Sequence, residues 1–333
     1  MSKQGVFSVS LDFELHWGCL EHKPQLNQSA QNYFHNTRNA IPKMLQIFEK
    51  YELHVTWAIV GMLFRKNATD WHQNQPSVLP TFKNPAISAY DWVKKNGFFE
   101  EQDLFHFAPE LIQKIKSTPN QEIGSHTYAH YFCLEEGQTI EQFKEDIRTA
   151  FKVANEIGIS ISSLVFPRNQ YNEEYLAVCR ELGITSIRSN PAIWYWQPSD
   201  KAGLLTKIFR SGDAFCNIHS APMVFLDQIQ THIQPIQLPA TRLYRPWRPT
   251  YSFQNKFKLK RILNEMTRAA QEGGYYHLWW HPHNIGNHPK ECLEELNIIA
   301  SHFVALHKKY DFQSQTMNET TQYLVKKNMQ THN

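Results

Sequence analysis

Two histidines at an i, i+4 spacing carry the clearest chemical signal in this chain. They stand in Glu122-Ile-Gly-Ser-His126-Thr-Tyr-Ala-His130, where Ile123-Gly124 reads as the end of a buried strand. One helical turn puts such a pair on the same face, close enough to grip one ion; a satisfied helix face gives the same spacing. Catalytic zinc-type sites typically take three protein ligands and leave a position for water or substrate. The third ligand must come from elsewhere, and the best source is Phe7-Ser-Val-Ser-Leu-Asp12-Phe-Glu14-Leu-His-Trp-Gly18. Residues alternate there: Phe7, Val9, Leu11 and Phe13 form one face, Ser8, Ser10, Asp12 and Glu14 the other. Both carboxylates fall at the C-terminal end of one face. They repel each other unless a cation sits between them or one stays protonated. Capping a helix or pairing with lysines is the alternative use for them.

Such side chains need a scaffold that gathers distant segments at one rim. Strands are expected at Phe7–Glu14, His54–Gly61, Ile123-Gly124, Ser163–Gln170, Ile184–Ser189, Ile236–Pro239 and from Tyr275 towards His281, with a short last one within Phe312–Met317. Helices are expected at Asn36–Tyr51, Asp103–Ser117, Thr139–Ile157, Asn172–Leu182, Asn255–Glu272 and Pro289–Tyr310. Thr139 and Gln142 have the spacing of a capping box, and Gly183 closes its helix. Strands alternating with helices imply a parallel sheet, open or closed into a barrel. In either form the chemistry sits at the C-terminal ends of the strands. Asp12, Glu14, His126, His130, Arg168 and His281 all fall at such ends. The chain is expected to be one catalytic domain over residues 1–333. Pro76, Pro80 and Pro85 mark residues 66–101 as an irregular insertion over its surface. Residues 190–235, with Trp194-Tyr-Trp196, fit no clear pattern.

Composition narrows the classes. A net charge of +3 over 333 residues is too small to argue for nucleic acid. The first residues hold no apolar signal region, and no run approaches the ~18 apolar residues of a membrane span. The odd count of five cysteines (Cys19, Cys133, Cys179, Cys216 and Cys292), with no CxxC pair, suits reduced thiols in the cytoplasm. Nine Trp suit a sugar-stacking cleft or an aromatic core equally well.

At this point the residues resemble the polysaccharide deacetylase family, the NodB-like carbohydrate esterases, over most of the chain. Ser10-Leu-Asp12-Phe-Glu14 is similar to the family's first acidic motif, and His126-Thr-Tyr-Ala-His130 meets its second in full. Arg168, in Phe-Pro-Arg-Asn-Gln, fits the arginine of the third, and His281, in Leu-Trp-Trp-His-Pro-His, the histidine of the fifth. A glutamate replaces the usual metal-binding aspartate, and the fourth motif is not found. The resemblance implies an α/β fold, a distorted (β/α) barrel of about seven parallel strands, and hydrolysis of an N-acyl amide on a sugar. Within it, Glu14, His126 and His130 hold a divalent metal. Zinc is the first choice, and nickel, cobalt or manganese suit the same ligands. Asp12 is the general base, Arg168 holds Asp12 ionised, and His281 gives a proton to the leaving amine, with His283 as its competitor.

Two rivals stand beside this reading: a C–N hydrolase of a small non-sugar amide, and an inactive carbohydrate-binding homologue. The expected partner is an amino sugar, phosphate- or lipid-linked, at a cytoplasmic step of surface polysaccharide assembly. Arg242, Arg245 and Arg248, interleaved with Tyr244 and Trp247, are the candidate anion site; the alternative, a solvated basic loop, is slightly favoured.

Overall fold

The computed structural model describes residues 4–190 and 223–331. Trp194, Trp196 and Cys216 lie outside the described residues. Ten strands are present among them: β1 (Val6–Phe13), β2 (Val55–Ile59), β3 (Gln121–Ser125), β4 (Ser163–Leu164), β5 (Ser186–Ser189), β6 (Val224–Phe225), β7 (Ile236–Pro239), β8 (Arg242–Leu243), β9 (Gly274–Trp280) and β10 (Gln313–Ser314). Seven run parallel in the order β9-β1-β2-β3-β4-β5-β7.

A single short segment brings the two edges together. β7 pairs with β5, and β8, two residues further on, pairs with β9. Between them Ala240 N–H donates to Ser189 O (2.9 Å) and Thr241 N–H donates to His277 O (3.0 Å). The sheet thus bends into a nearly closed barrel, as the family resemblance implies. Among the described strands, only β6 runs antiparallel, against the start of β9.

Closure explains the alternation of β1. Its polar face would meet water in an open, one-sided sheet, yet all eight residues are buried. Ser10 faces Arg188 of β5 and His277 of β9 (Oγ–Nη1 3.1 Å, Oγ–Nε2 2.8 Å). The polar face of β1 therefore lines the barrel interior. Phe7, Val9, Leu11 and Phe13 pack outward into the main hydrophobic core with Ile41, Phe48, Ile299 and Phe303 of the surrounding helices.

Most expected helices are present, with shifted ends. The first spans Gln28–Lys50 and starts eight residues before the expected Asn36, because Asn27 Oδ1 accepts from Ala30 N (3.0 Å) and Ala30, Tyr33 and Phe34 are buried. Thr139 and Gln142 form the expected capping box on Ile140–Asn155. Residues 66–101 are more regular than expected: helices Ala68–Gln73 and Ala89–Asn96 bury Trp71, Tyr90 and Trp92. A C-terminal helix, Met317–Thr331, was not anticipated. Its first turn closes the bottom of the barrel, where Met317 N donates to Thr56 Oγ1 (2.8 Å) and Asn318 N donates to Glu122 Oε2 (3.1 Å). Negative charge at a helix N-terminus is favourable, which gives the half-buried Glu122 a structural task.

Candidate metal centre and active site

The open end of the barrel collects the functional side chains. Glu14 follows β1, and the chain then turns sharply through Leu15 (φ 47°). Its carboxylate lies against Gly18, where a Cβ would stand 1.5 Å from Glu14 Oε2. No other residue type leaves that space free.

His126 and His130 do not share a helical turn. They lie on an irregular loop after β3, with Thr127 (φ 63°) and His130 (φ 54°) in the left-handed region, which costs energy for residues with a Cβ. The loop is fixed from outside: Asp146, buried on Ile140–Asn155, accepts from Tyr128 N (2.6 Å) and Ala129 N (3.0 Å). Gly61 N and Met62 N donate to the carbonyls of Thr127 and Tyr128.

The arrangement suits a cation. His126 Nδ1 donates to Val165 O (2.7 Å), which leaves the Nε2 lone pair facing Glu14 Oε1 at 3.1 Å. His130 Nε2 lies 3.5 Å from the same oxygen. The three ligand atoms lie within 4.8 Å of one another, and all three residues are buried. Two acceptors face to face at 3.1 Å need a proton or a metal between them. Separations of 3.1 and 3.5 Å match neighbouring ligands on one ion about 2.1 Å away. Burial pushes Glu14 upward, but the neighbouring His281 and His130, and the close approach of His126, outweigh it and hold Glu14 well below the usual carboxylate range. Burial depresses His130, which favours the neutral ring a metal requires.

Asp12 has a different neighbour from the expected one. Arg168 is 38% exposed, sits 4.3 Å over the Phe132 ring, and pairs with Glu21 and with Glu135 (2.7 Å). The place beside Asp12 belongs to Arg188 on β5, a residue read from sequence only as part of a strand. Its guanidinium donates Nη1 to Asp12 Oδ1 (2.6 Å) and Nη2 to Oδ2 (2.7 Å). Asn169 Oδ1 accepts from Arg188 Nε (3.3 Å), and the Trp279 ring lies 4.1 Å from the guanidinium carbon. The one available signal was an arginine alternating with Ile187 in an otherwise buried strand. Burial pushes Asp12 upward, while Arg188, then His126 and His281, hold it below its usual value.

Both candidate acids flank Glu14. His281 Nε2 lies 3.4 Å from Glu14 Oε1 and 3.6 Å from Asp12 Oδ2, and its side chain is 27% exposed. His281 Nδ1 lies 3.4 Å from the Asn284 side-chain amide, which leaves Nε2 facing the carboxylates. His283 is buried behind Glu14, with Nδ1 3.9 Å from Oε2, and burial pushes it down to about 3. A buried neutral ring on the far side of Glu14 is poorly placed to meet a substrate.

The expected anion site is largely spoken for. Arg242 is buried and doubly bonded to Glu265 (Nε–Oε2 2.9 Å, Nη2–Oε1 2.7 Å). Tyr244 is buried too, and its hydroxyl donates to Glu295 Oε2 (2.6 Å). Neither offers a surface to a phosphorylated sugar.

Comparison with known proteins places these features. Residues 31–187 match the family model for polysaccharide deacetylase. The resemblance read from the motifs therefore holds: just under half of the chain is similar to polysaccharide deacetylases, which are hydrolases of amide bonds. The match takes in His126 and His130 and lies between Glu14 and Arg188. A candidate polysaccharide deacetylase from Mycobacterium smegmatis has a similar fold, at 12% identity over 98% of this chain and 92% of that one, with a TM-score of 0.62. One from Pseudomonas aeruginosa PAO1 aligns at 12% identity over 94% and 93%, with a TM-score of 0.51. A comparison with curated proteins finds no match.

Proposed function

We propose that this protein is a metal-dependent hydrolase that removes an N-acyl group, acetyl or formyl, from an amino sugar. The observation that carries the reading is the convergence of Glu14, His126 and His130 on one point, with Asp12 and His281 beside it. Zinc is the first choice of ion. The substrate is a cytoplasmic intermediate of surface polysaccharide assembly. The four described cysteines, all buried free thiols, suit a reducing compartment.

When bound there, a divalent ion would polarise the acyl oxygen and make a water more acidic. The chain's own groups do the rest. Arg188 keeps Asp12 ionised and fixes its plane, so Asp12 takes a proton from the attacking water. The water oxygen bonds to the acyl carbon. As the C–N bond breaks, His281 in its imidazolium form gives its Nε2 proton to the leaving amine, which prevents the amine's expulsion as an unstable anion. The proton that Asp12 took from water then restores the imidazolium across the short gap between the two side chains, directly or through water. Trp279, which backs the Arg188 guanidinium, keeps that ion pair dry from one side.

Purified protein assayed with N-acetylated and N-formylated amino sugars, beside ureides and simple formamides, tests the reading. Turnover of the sugars, with metal bound in wild type and lost in His126→Ala, is the expected result. Turnover of only the small amides, or equal metal content in both proteins, overturns it.

A further inference from the structure

The stretch from Ala240 to Asn264 contains seven basic residues and no aspartate or glutamate. Three of the seven are neutralised inside the fold: Arg242 and Arg261 by Glu265, and Lys258 by Glu295 (2.6 Å). Lys256 and Lys260 remain exposed on the helix Ser252–Glu272, and Arg248 is exposed on the loop before it. Beside the two lysines stands an exposed aromatic pair. Phe253 is 71% and Phe257 47% exposed, and their rings touch edge to face with centroids 4.6 Å apart. Phe253, Lys256, Phe257 and Lys260 have the i, i+3, i+4, i+7 spacing of one helix face. Two large rings held in water on a helix that buries Ile262 and Met266 on its other side need a use beyond the core.

The topology fixes which end of the molecule this face occupies. β8 and β9 are parallel, so the chain leaves the barrel at the open end after Leu243 and re-enters at the closed end at Gly274. The connecting helix therefore begins at the open end and descends. Its first turns, with Phe253 and Phe257, lie at the same rim as His281. Trp247 of the preceding loop packs on His288 of the loop after His281 (centroids 5.1 Å).

We infer that this face docks the protein on an anionic lipid surface. The rings enter the boundary between headgroups and acyl chains, while Lys256, Lys260 and Arg248 meet lipid phosphates. The helix is not a spanning one: no described helix is long and apolar enough to cross a membrane. Charge decides the occupant. A second copy of this face would bring like charges together, whereas an anionic surface is its complement. Docking in this way turns the open end of the barrel towards the lipid surface, where a lipid-linked sugar would stand. The inference does not depend on which amide is hydrolysed.

The full chain is sedimented with vesicles of phosphatidylcholine alone and of phosphatidylcholine with phosphatidylglycerol. Wild type should pellet with the anionic vesicles, and added salt should release it. Lys256→Glu with Lys260→Glu should weaken binding by roughly thirtyfold or more. Phe253→Ser with Phe257→Ser should also weaken it, and neither pair should alter the thermal melt or the metal content. Equal pelleting of wild type and both variants overturns the inference, as does equal binding to neutral vesicles. So does a concentration-dependent dimer in sedimentation velocity that Phe253→Ser with Phe257→Ser abolishes, because the face would then be covered by a second copy.

Discussion

Arg188 grips Asp12 through two parallel hydrogen bonds, Nη1–Oδ1 at 2.6 Å and Nη2–Oδ2 at 2.7 Å, from the far side of the barrel. Both side chains are buried, so the pair is insulated from water. Removing one partner of such a pair leaves an uncompensated charge and typically costs about 3–5 kcal/mol. Arg188→Ala should therefore lower the melting temperature sharply and reduce kcat. Arg188→Lys should keep the fold better but lose the two-pronged fit. Arg168→Ala, which removes half-exposed pairs with Glu21 and Glu135, should cost no more than about 1 kcal/mol and leave kcat near wild type. Thermal melts and single-substrate kinetics on the three variants decide the matter. A kcat loss confined to Arg168→Ala would return the Asp12-holding role to Arg168.

Asp12 and Glu14 should separate in their effects on metal. Asp12→Asn keeps the shape and removes the base, so metal stays bound while kcat falls by a factor of roughly 10² to 10⁴. Glu14→Gln removes the charged ligand that both His126 and His130 face, so metal affinity should drop and excess metal should restore part of the activity. Elemental analysis beside kinetics reads both outcomes. Metal lost in the first variant and kept in the second would exchange the two roles.

Gly18 offers a test that touches no ligand. Its missing Cβ is the space that Glu14 Oε2 occupies. Gly18→Ala should push the carboxylate off its position and lower metal content as Glu14→Gln does. Full metal occupancy in Gly18→Ala would show that Glu14 can bind from another rotamer.

His277 predicts an acid-side loss of stability. Burial, then the nearby Arg188 charge, push it down from 6.5 to about 3, against a smaller upward pull from Asp12. The unfolded chain thus binds a proton at higher pH than the folded one. Its stabilising effect is complete above about pH 6.5 and drains away as pH falls towards about 3. His277→Gln should show a shallower fall of melting temperature across that window. An unchanged slope would assign the acid loss to other buried groups such as His16, which burial pushes down to about 4.

The residues proposed to hold charge or metal announce themselves in sequence because few uses exist for them at those spacings. Asp12 and Glu14 at the end of an alternating strand, His126 and His130 in one short segment, and His281 after an aromatic strand were legible for that reason. So was the strand–helix order, since periods of two and of 3.6 residues follow from backbone geometry alone. What the sequence by itself could not determine is which distant strand faces which. Arg168 and Arg188 both sit near the ends of buried strands, and only the closure of the barrel through Ala240 and Thr241 aims Arg188 across the interior at Asp12. Likewise, the loop that carries His126 and His130 owes its shape to the Asp146 carboxylate on a later helix rather than to a helical turn of its own. Arg242 was legible as a cation, but Glu265, over twenty residues on, decided that it binds the protein and not a ligand. Spacing along the chain fixes local partners within a turn or a strand; ion pairs across a barrel depend on register and closure, which exist only once the whole sheet has formed.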